Sequence, residues 1–580
     1  MEAIPILVAG IAVITLSTML ARRLGVAGPL ILVGVGLVVS LFIPPVKIEP
    51  DLILVGILPP LLYAAAVRLP AVEFRRDGLP IAGLAVLLVV VSSLVLGGLF
   101  VLMIPGITFP IAVALGAILS PTDAVATSII KRLRISPRVV TMLEGESLLN
   151  DATALVLLRS AVVAAAAGFS FWGTVGAFAW GVLAAVAIGA VVGVLFLRVR
   201  RWVKDPAANT ALGFAIPFIA YLPTEHLGGS GLVAAVVAGI VTGQGSTRWL
   251  TPEQRISDRL NWRTVELILE GTVFLIMGLE LRDVVVSNAR AEAGGLWHPI
   301  TIALAALGVV ILVRAVYVSG LVALLARRAR SSRRERLVAI SERLDEMESS
   351  GDYARRRGGP RAGQLDPDEA ARRLTGFRAR VSRGLNDLNY YQGSPLGWKE
   401  GTVIVWAGMR GVVTLAAAQT IGADDTPLRD LIVLVAFFVA LASLLLQGLT
   451  VPLVVKWLRI PAVVDDPAVA AERERLDDEL NDAARALLDG PGLQRPDGTA
   501  FDPELLHKIG ARMAEPPAES REFTADDMFA LRIALIEAMR TRLDELSHEG
   551  SYSTAALRHA LTRLDAEQLS LQLRVDDEDD

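Results

Sequence analysis

The chain has 580 residues, 53% of them hydrophobic, with a mean hydropathy of +0.53 and a formal net charge of −4. This is the profile of a polytopic membrane protein with a soluble portion, because charged residues gather in loops and beyond residue 459, and the chain closes on an acidic run. Cysteine is absent, which excludes disulfides and thiolate metal sites, and the five histidines have no metal-ligand spacing, so no cofactor and no nucleic-acid partner is expected.

Apolar stretches of the ~20 residues needed to cross a hydrocarbon core are predicted at 3–21, 27–44, 51–69, 78–104, 109–131, 137–166, 171–198, 206–224, 229–243, 263–282, 297–326, 398–421 and 429–458. The first is followed by Arg22 and Arg23 and preceded by no basic region, so it reads as a span rather than a cleavable signal peptide. Lys and Arg counted in short loops report orientation. Loops after odd-numbered spans hold seventeen of them, from Arg22 and Arg23 through Lys131, Arg138 and Arg200 to Arg263. Loops after even-numbered spans hold Lys47, Arg282, Arg290 and Arg429 only. The N-terminus is therefore expected outside and the C-terminus in the cytoplasm of a cell membrane.

Two regions depart from the membrane pattern. Residues 327–396 form a charged cytoplasmic insertion, read as two amphipathic helices around a flexible Gly/Arg-rich centre and as a solvated connector, with contact of its Arg-rich segment with membrane lipids as the alternative. Residues 459–580 contain no span. The segments 468–488, 503–514, 526–550 and 554–575 repeat apolar residues at helical spacing and are expected to pack as a helical cytoplasmic tail.

The chemistry concentrates between Ser120 and Leu158, where SPTDAVATSIIKRLRISPRVVTMLEGESLLNDATALVLL carries Asp123, Glu144, Glu146 and Asp151. A carboxylate at the centre of a membrane helix costs at least about 2.5 kcal/mol, so such a cluster marks function. Pro121, in mid-span, lacks a backbone donor and clashes with the preceding turn. A broken helix is expected there, exposing Thr122 and Asp123. Glu146, Ser147, Asn150 and Asp151 stand at i, i+1, i+4 and i+5, a polar stripe that turns toward span five. Arg314 in span eleven and Arg410 in span twelve do not deprotonate and need partners. Arg314 is paired with Glu146, and Arg410 is set beside a second break at Gly408 and Gly411. Glu144 faces water at a cytoplasmic funnel, and Glu280 marks a membrane edge. Asp151 is left without a fixed cation. Desolvation favours its neutral form, so it holds a proton that a monovalent cation displaces, which is the chemistry of an antiporter.

PTD in span five, GESLLND in span six, ILVRAVYV in span eleven and GMRG in span twelve resemble the motifs of the sodium/proton exchanger branch of the monovalent cation/proton antiporter superfamily, over about residues 1–460. The resemblance implies an all-α membrane protein of about thirteen helices, with inverted repeats and two crossing broken helices. Within a transmembrane exchanger domain of 1–458 it implies a dimerisation part, 1–70 and 170–283, and a core part, 78–166, 297–326 and 398–458. It implies a homodimer that is a transporter and not an enzyme, exchanging Na⁺ or Li⁺ for H⁺ by elevator-like alternating access. K⁺/H⁺ antiport is the alternative, and a cation channel the remote one. Asp151 would bind cation and proton, with Thr122, Ser147 and Asp123 in the cation site. Asn150 would support the crossing, Glu146 with Arg314 would be a structural ion pair, and Arg410 would neutralise helix ends. The Asn150-Asp151 pair implies electroneutral exchange serving pH and sodium homeostasis. Many bacterial members carry an acid after the PPLL of span three, where this chain has Tyr63-Ala64.

Overall fold

The computed structural model describes the chain apart from residues 1–2, 25–27, 45–48, 168–170, 292–295, most of 330–393, 422–425, 461–466, most of 491–524, residue 580 and the isolated positions 50, 124, 134 and 427. The described residues are almost entirely helical, and their contacts divide them into two compact units, 1–324 with 396–464 and 325–395 with 465–580.

In the first unit the helices run α1 (Ala3–Leu24), α2 (Gly28–Ser40), α3 (Leu58–Val67), the short α4 (Ala71–Arg76), α5 (Gly78–Ala82), α6 (Leu88–Met103), α7 (Phe109–Leu119), α8 (Val125–Arg132), α9 (Pro137–Ala167), α10 (Phe171–Arg200), α11 (Pro206–His226), α12 (Gly231–Trp249), α13 (Pro252–Ala291), α14 (Trp297–Ala329), α15 (Trp398–Trp406), α16 (Val412–Gln419) and α17 (Arg429–Trp457). A wider π-helical turn, Gly83–Leu87, joins α5 to α6, and another, Leu52–Ile57, leads into α3. Each stretch predicted to be apolar falls on one helix or on a run of consecutive helical pieces. Among the described residues five helices are long and apolar enough to cross a membrane, and shorter apolar helices accompany them.

Helix starts follow local chemistry. Asp205 caps α11 by accepting from Ala208 N at 2.6 Å, and Pro206 follows it at the position where a missing N–H costs nothing. Thr251 and Gln254 cap the start of α13 reciprocally, Gln254 N donating to Thr251 Oγ1 and Thr251 N to Gln254 Oε1.

One order occurs twice: a long helix, a broken helix, a long helix. It appears as α5/α6, α7/α8, α9 and again as α14, α15/α16, α17. α3, α10, α11, α12 and α13 share an apolar cluster of Tyr63, Ala64, Ala185, Ile216, Ala234 and Trp262, to which α9 contributes Ala152. Tyr63 OH reaches Thr242 Oγ1 at 2.9 Å, so its one polar atom is satisfied inside that cluster.

Arg138, Arg200 and Arg255, counted above as loop charges, are buried. Arg138 donates from Nε and Nη2 to the carboxylate of Asp77 at 2.8–3.2 Å. Arg200 donates to Asp258 and to Asn209 Oδ1, both at 2.6 Å. Each guanidinium leaves water because a planar fork of donors finds its acceptors in place.

In the second unit α18 (Pro467–Leu488), α19 (Ala525–Glu549) and α20 (Thr554–Asp579) pack on one another. Ala484, Leu488, Phe501, Leu531 and Leu535 form the cluster between α18 and α19. The helical segment expected at 503–514 lies outside the described residues except at Leu506, and so does most of the insertion. The described end of the insertion, helical over 383–388, meets the tail where Asn386 Nδ2 donates to Ser551 Oγ at 3.3 Å.

Candidate cation site

α7 ends at Leu119 and α8 begins at Val125. Between them Pro121 has no N–H to offer, and Ser120, Thr122 and Asp123 are unwound. In the second broken helix, α15 stops at Trp406 and α16 starts at Val412. The two breaks cross, and Asp123 N donates to Met409 O at 2.7 Å.

Backbone freed by a break inside apolar surroundings must find partners within the protein. Arg410, 2% exposed, donates from Nε to Leu119 O at 3.1 Å, from Nη2 to Ser120 O at 3.5 Å and from Nη1 to Gly408 O. Its positive charge therefore lies between the two carbonyl ends of α7 and α15, the negative poles of both helices. Asp123 does the opposite duty. Its Oδ1 accepts from Val125 N at 3.2 Å at the start of α8, and its carboxylate lies against Gly411 at the start of α16. A Cβ at Gly411 would fall 1.3 Å from Asp123 Oδ2, so only glycine fits there. Gly408 is constrained likewise, since a Cβ would sit 2.5 Å from Arg314 Nε.

Arg314 is 1% exposed and grips Glu146 with both terminal nitrogens, Nη2 to Oε2 at 2.7 Å and Nη1 to Oε1. Its Nε donates to Ile404 O at 3.0 Å, so every side of the guanidinium reaches an acceptor. Thr122 Oγ1 donates to Glu146 Oε1 at 3.2 Å, and Asn150 Nδ2 donates to Thr122 Oγ1 at 2.8 Å. A chain of polar contacts thus runs from α14 through α9 into the first break. Asn150 Oδ1 is buried and has no hydrogen-bond partner among the described residues.

Asp151 stands apart from this chain. It is 7% exposed and, among the described residues, neither a hydrogen bond nor an ion pair reaches it. It lines a cavity of about 80 Å³ together with Thr122, Asp123, Ser147 and Thr414. That volume accommodates a few waters or a partly dehydrated ion. Ser147 Oγ makes a long 3.5 Å contact with Glu144 O and keeps an acceptor lone pair for the cavity. Carboxylate and hydroxyl oxygens beside unwound backbone are the ligand set that replaces the hydration shell of a hard cation.

All eight residues singled out in the sequence are in this region. Asp151, Thr122, Asp123 and Ser147 line the cavity, while Glu146, Asn150, Arg314 and Arg410 form the bonded frame behind it. Three positions have surroundings that the sequence did not name. Glu280 is buried and accepts from Gln419 Nε2 of α16 at 2.6 Å. Glu144 does not face water alone: it pairs with Lys131 of α8. On α3 the cavity is lined by Ala65, whereas Ala64 is sealed in the apolar cluster one residue away. Two carboxylates lining the cavity, Glu266 and Glu270 of α13, were not singled out at all. Their signal was present as two acids four apart, on one face of a helix, inside the apolar stretch from Val265 to Gly278.

A family model described as "Sodium/hydrogen exchanger, transmembrane" matches residues 10–345 and 379–457. An uncharacterized Na(+)/H(+) exchanger of Escherichia coli is 39% identical over 255 residues, 42% of this chain, and the match spans about half (46%) of that relative's length. An uncharacterized Na(+)/H(+) exchanger of Mycobacterium bovis is 27% identical over 583 residues, 98% of this chain and 96% of the relative. The sodium proton antiporter MjNhaP1 from Methanocaldococcus jannaschii is similar in structure, with a TM-score of 0.55, 16% identity and coverage of 79% of this chain and 99% of that one. At that identity the likeness concerns the fold.

Proposed function

The chain belongs to the sodium/hydrogen exchanger family, and from that premise we propose that it is a secondary active transporter exchanging Na⁺ for H⁺ at Asp151. One observation carries the assignment to that residue. Beside a crossing whose charges are bonded, Asp151 of α9 is buried, lines a cavity with the unwound Thr122 and Asp123 and has no partner among the described residues.

An uncompensated carboxylate in such a place is costly, and either a proton or a cation removes the cost. The two loads exclude each other because both neutralise the same group. When Na⁺ enters, the Asp151 carboxylate takes it with the oxygens of Thr122 and Ser147, and the displaced proton leaves to water on the side that supplied the cation. After the site has changed sides, Na⁺ departs and Asp151 takes a proton there. Asn150, engaged with Thr122 and uncharged, adds no second titrating group to α9, which supports exchange of one cation for one proton.

The change of sides is an elevator-like movement of the helices holding Asp151 and the crossing, against the remainder of the unit, within a homodimer. The distribution of Lys and Arg supports an N-terminus outside and a C-terminus inside a cell membrane, where such exchange serves pH and sodium homeostasis.

The test is cation-driven proton movement in proteoliposomes, read with a pH-sensitive dye after pulses of Na⁺, Li⁺ or K⁺. The protein as it stands is expected to give a saturable signal with Na⁺, and Asp151→Asn to give none. Saturable exchange in Asp151→Asn overturns the mechanism.

A further inference from the structure

α13 brings two acids to the cavity, and they differ in what holds them. Glu266 is engaged by Arg68, at the end of α3. Glu270, one turn further along α13, lines the same cavity as Asp151 and has, among the described residues, no hydrogen bond and no ion pair. The charges of Asp123 and Glu266 act on it with one sign and those of Arg68 and Arg132 with the other, and neither arginine bonds to it. The α3 wall of the cavity is apolar, formed by Leu58, Leu61, Leu62 and Ala65. The other face of the cavity holds Asp151, more than nine-tenths buried and likewise unpartnered.

Two carboxylates without partners around about 80 Å³ of space repel each other when both are ionised. Only a positive load between them removes that cost. Resting on the proposed exchange at Asp151, we propose that Glu270 is the second carboxylate ligand of the cation, supplied from α13 across the cavity from α9.

Three consequences follow physically. The empty pair holds two protons and the loaded pair one proton and one Na⁺, so exchange remains one for one. The second carboxyl brings another oxygen into a cavity of only about 80 Å³, which favours the smaller Na⁺ and Li⁺ over K⁺. Finally, α13 packs chiefly against α2 while Asp151 is on α9, so sliding of one group of helices past the other separates the ligands. High cation affinity then belongs to the arrangement described here and falls as the site moves.

The experiment is proton movement in proteoliposomes of the full chain, with Glu270→Gln, Glu270→Asp and Asp151→Asn beside the parent. Glu270→Gln is expected to raise the apparent KM for Na⁺ about ten-fold or more, to raise that for K⁺ less, and to leave the maximal rate within about three-fold, the signature of lost binding rather than lost chemistry. Glu270→Asp keeps the charge on a shorter arm and is expected to recover most of the Na⁺ affinity. Purified parent is also expected to gain thermal stability with added Na⁺, and Glu270→Gln to lose that gain while melting normally in Na⁺-free buffer. A KM for Na⁺ within about two-fold of the parent in Glu270→Gln, with Asp151→Asn inactive, overturns the role of Glu270 and leaves Asp151 standing. Should Glu270→Gln fail to fold, Glu270→Ala takes its place, and a KM for Na⁺ within about two-fold of the parent in that variant overturns the role in the same way. Exchange persisting in Asp151→Asn overturns the underlying reading.

Discussion

The crossing of the broken helices and the cavity beside it are adjacent, built in part from the same segments, and opposite in their hydrogen bonding. At the crossing Arg410, Arg314, Glu146, Thr122 and Asp123 each have partners, down to individual carbonyls of the unwound backbone. In the cavity Asp151 and Glu270 have none among the described residues. A buried charge that is fully bonded specifies geometry, whereas a buried charge that is not awaits a partner that comes and goes. Burial alone does not separate the two kinds, since Glu146 and Asp151 are both buried and stand five residues apart on one helix.

The largest test of that contrast removes one half of the bonded frame. Glu146→Met leaves Arg314 charged and unpaired, and is expected to cost about 3–5 kcal/mol, read as a fall in melting temperature of the purified protein. The double variant Glu146→Met with Arg314→Met is expected to lose less than either single one, because two apolar groups need no partners. Additive losses would mean that the pair is not a closed unit. A smaller effect is expected from Gly411→Ala, whose Cβ would overlap the Asp123 carboxylate. About 1–3 kcal/mol of overpacking is anticipated, with slowed exchange. Gly98→Ala serves as its control: no atom lies within 4 Å of the new Cβ, inside α6, and a gain of about 0.5–1 kcal/mol is expected there. The smallest effect belongs to the second unit, where the exposed Arg563 meets Asp477 at 2.7 Å. Arg563→Ala should cost no more than about 1 kcal/mol and lose even that in high salt, as measured by thermal melts with and without added salt.

Much of the frame was legible in the chain because its causes are local. Pro121 in an apolar span breaks a helix wherever that helix packs, and Gly408 and Gly411 around Arg410 mark the second break. Arg314 and Glu146, as charges in apolar spans, needed one another. The capped and Pro-led helix starts are equally local. Less legible was which faces of separate helices meet. Nothing in the segment around Glu280 names Gln419 of α16 as its partner. Ala64 and Ala65 are alike in sequence, and only the packing of α3 on α12 assigns one to the apolar cluster and the other to the cavity.

The sequence by itself determined an all-helical membrane chain, its two breaks and the stripe from Glu146 to Asp151, since hydrophobic length, proline geometry and helical period act within a single segment. Only the tertiary structure decided which of the buried charges are bonded and which face an open cavity, and that Glu270 shares that cavity with Asp151. Helical period says which residues of one helix lie together. Whether a residue on a different helix stands opposite them depends on how the helices between have packed.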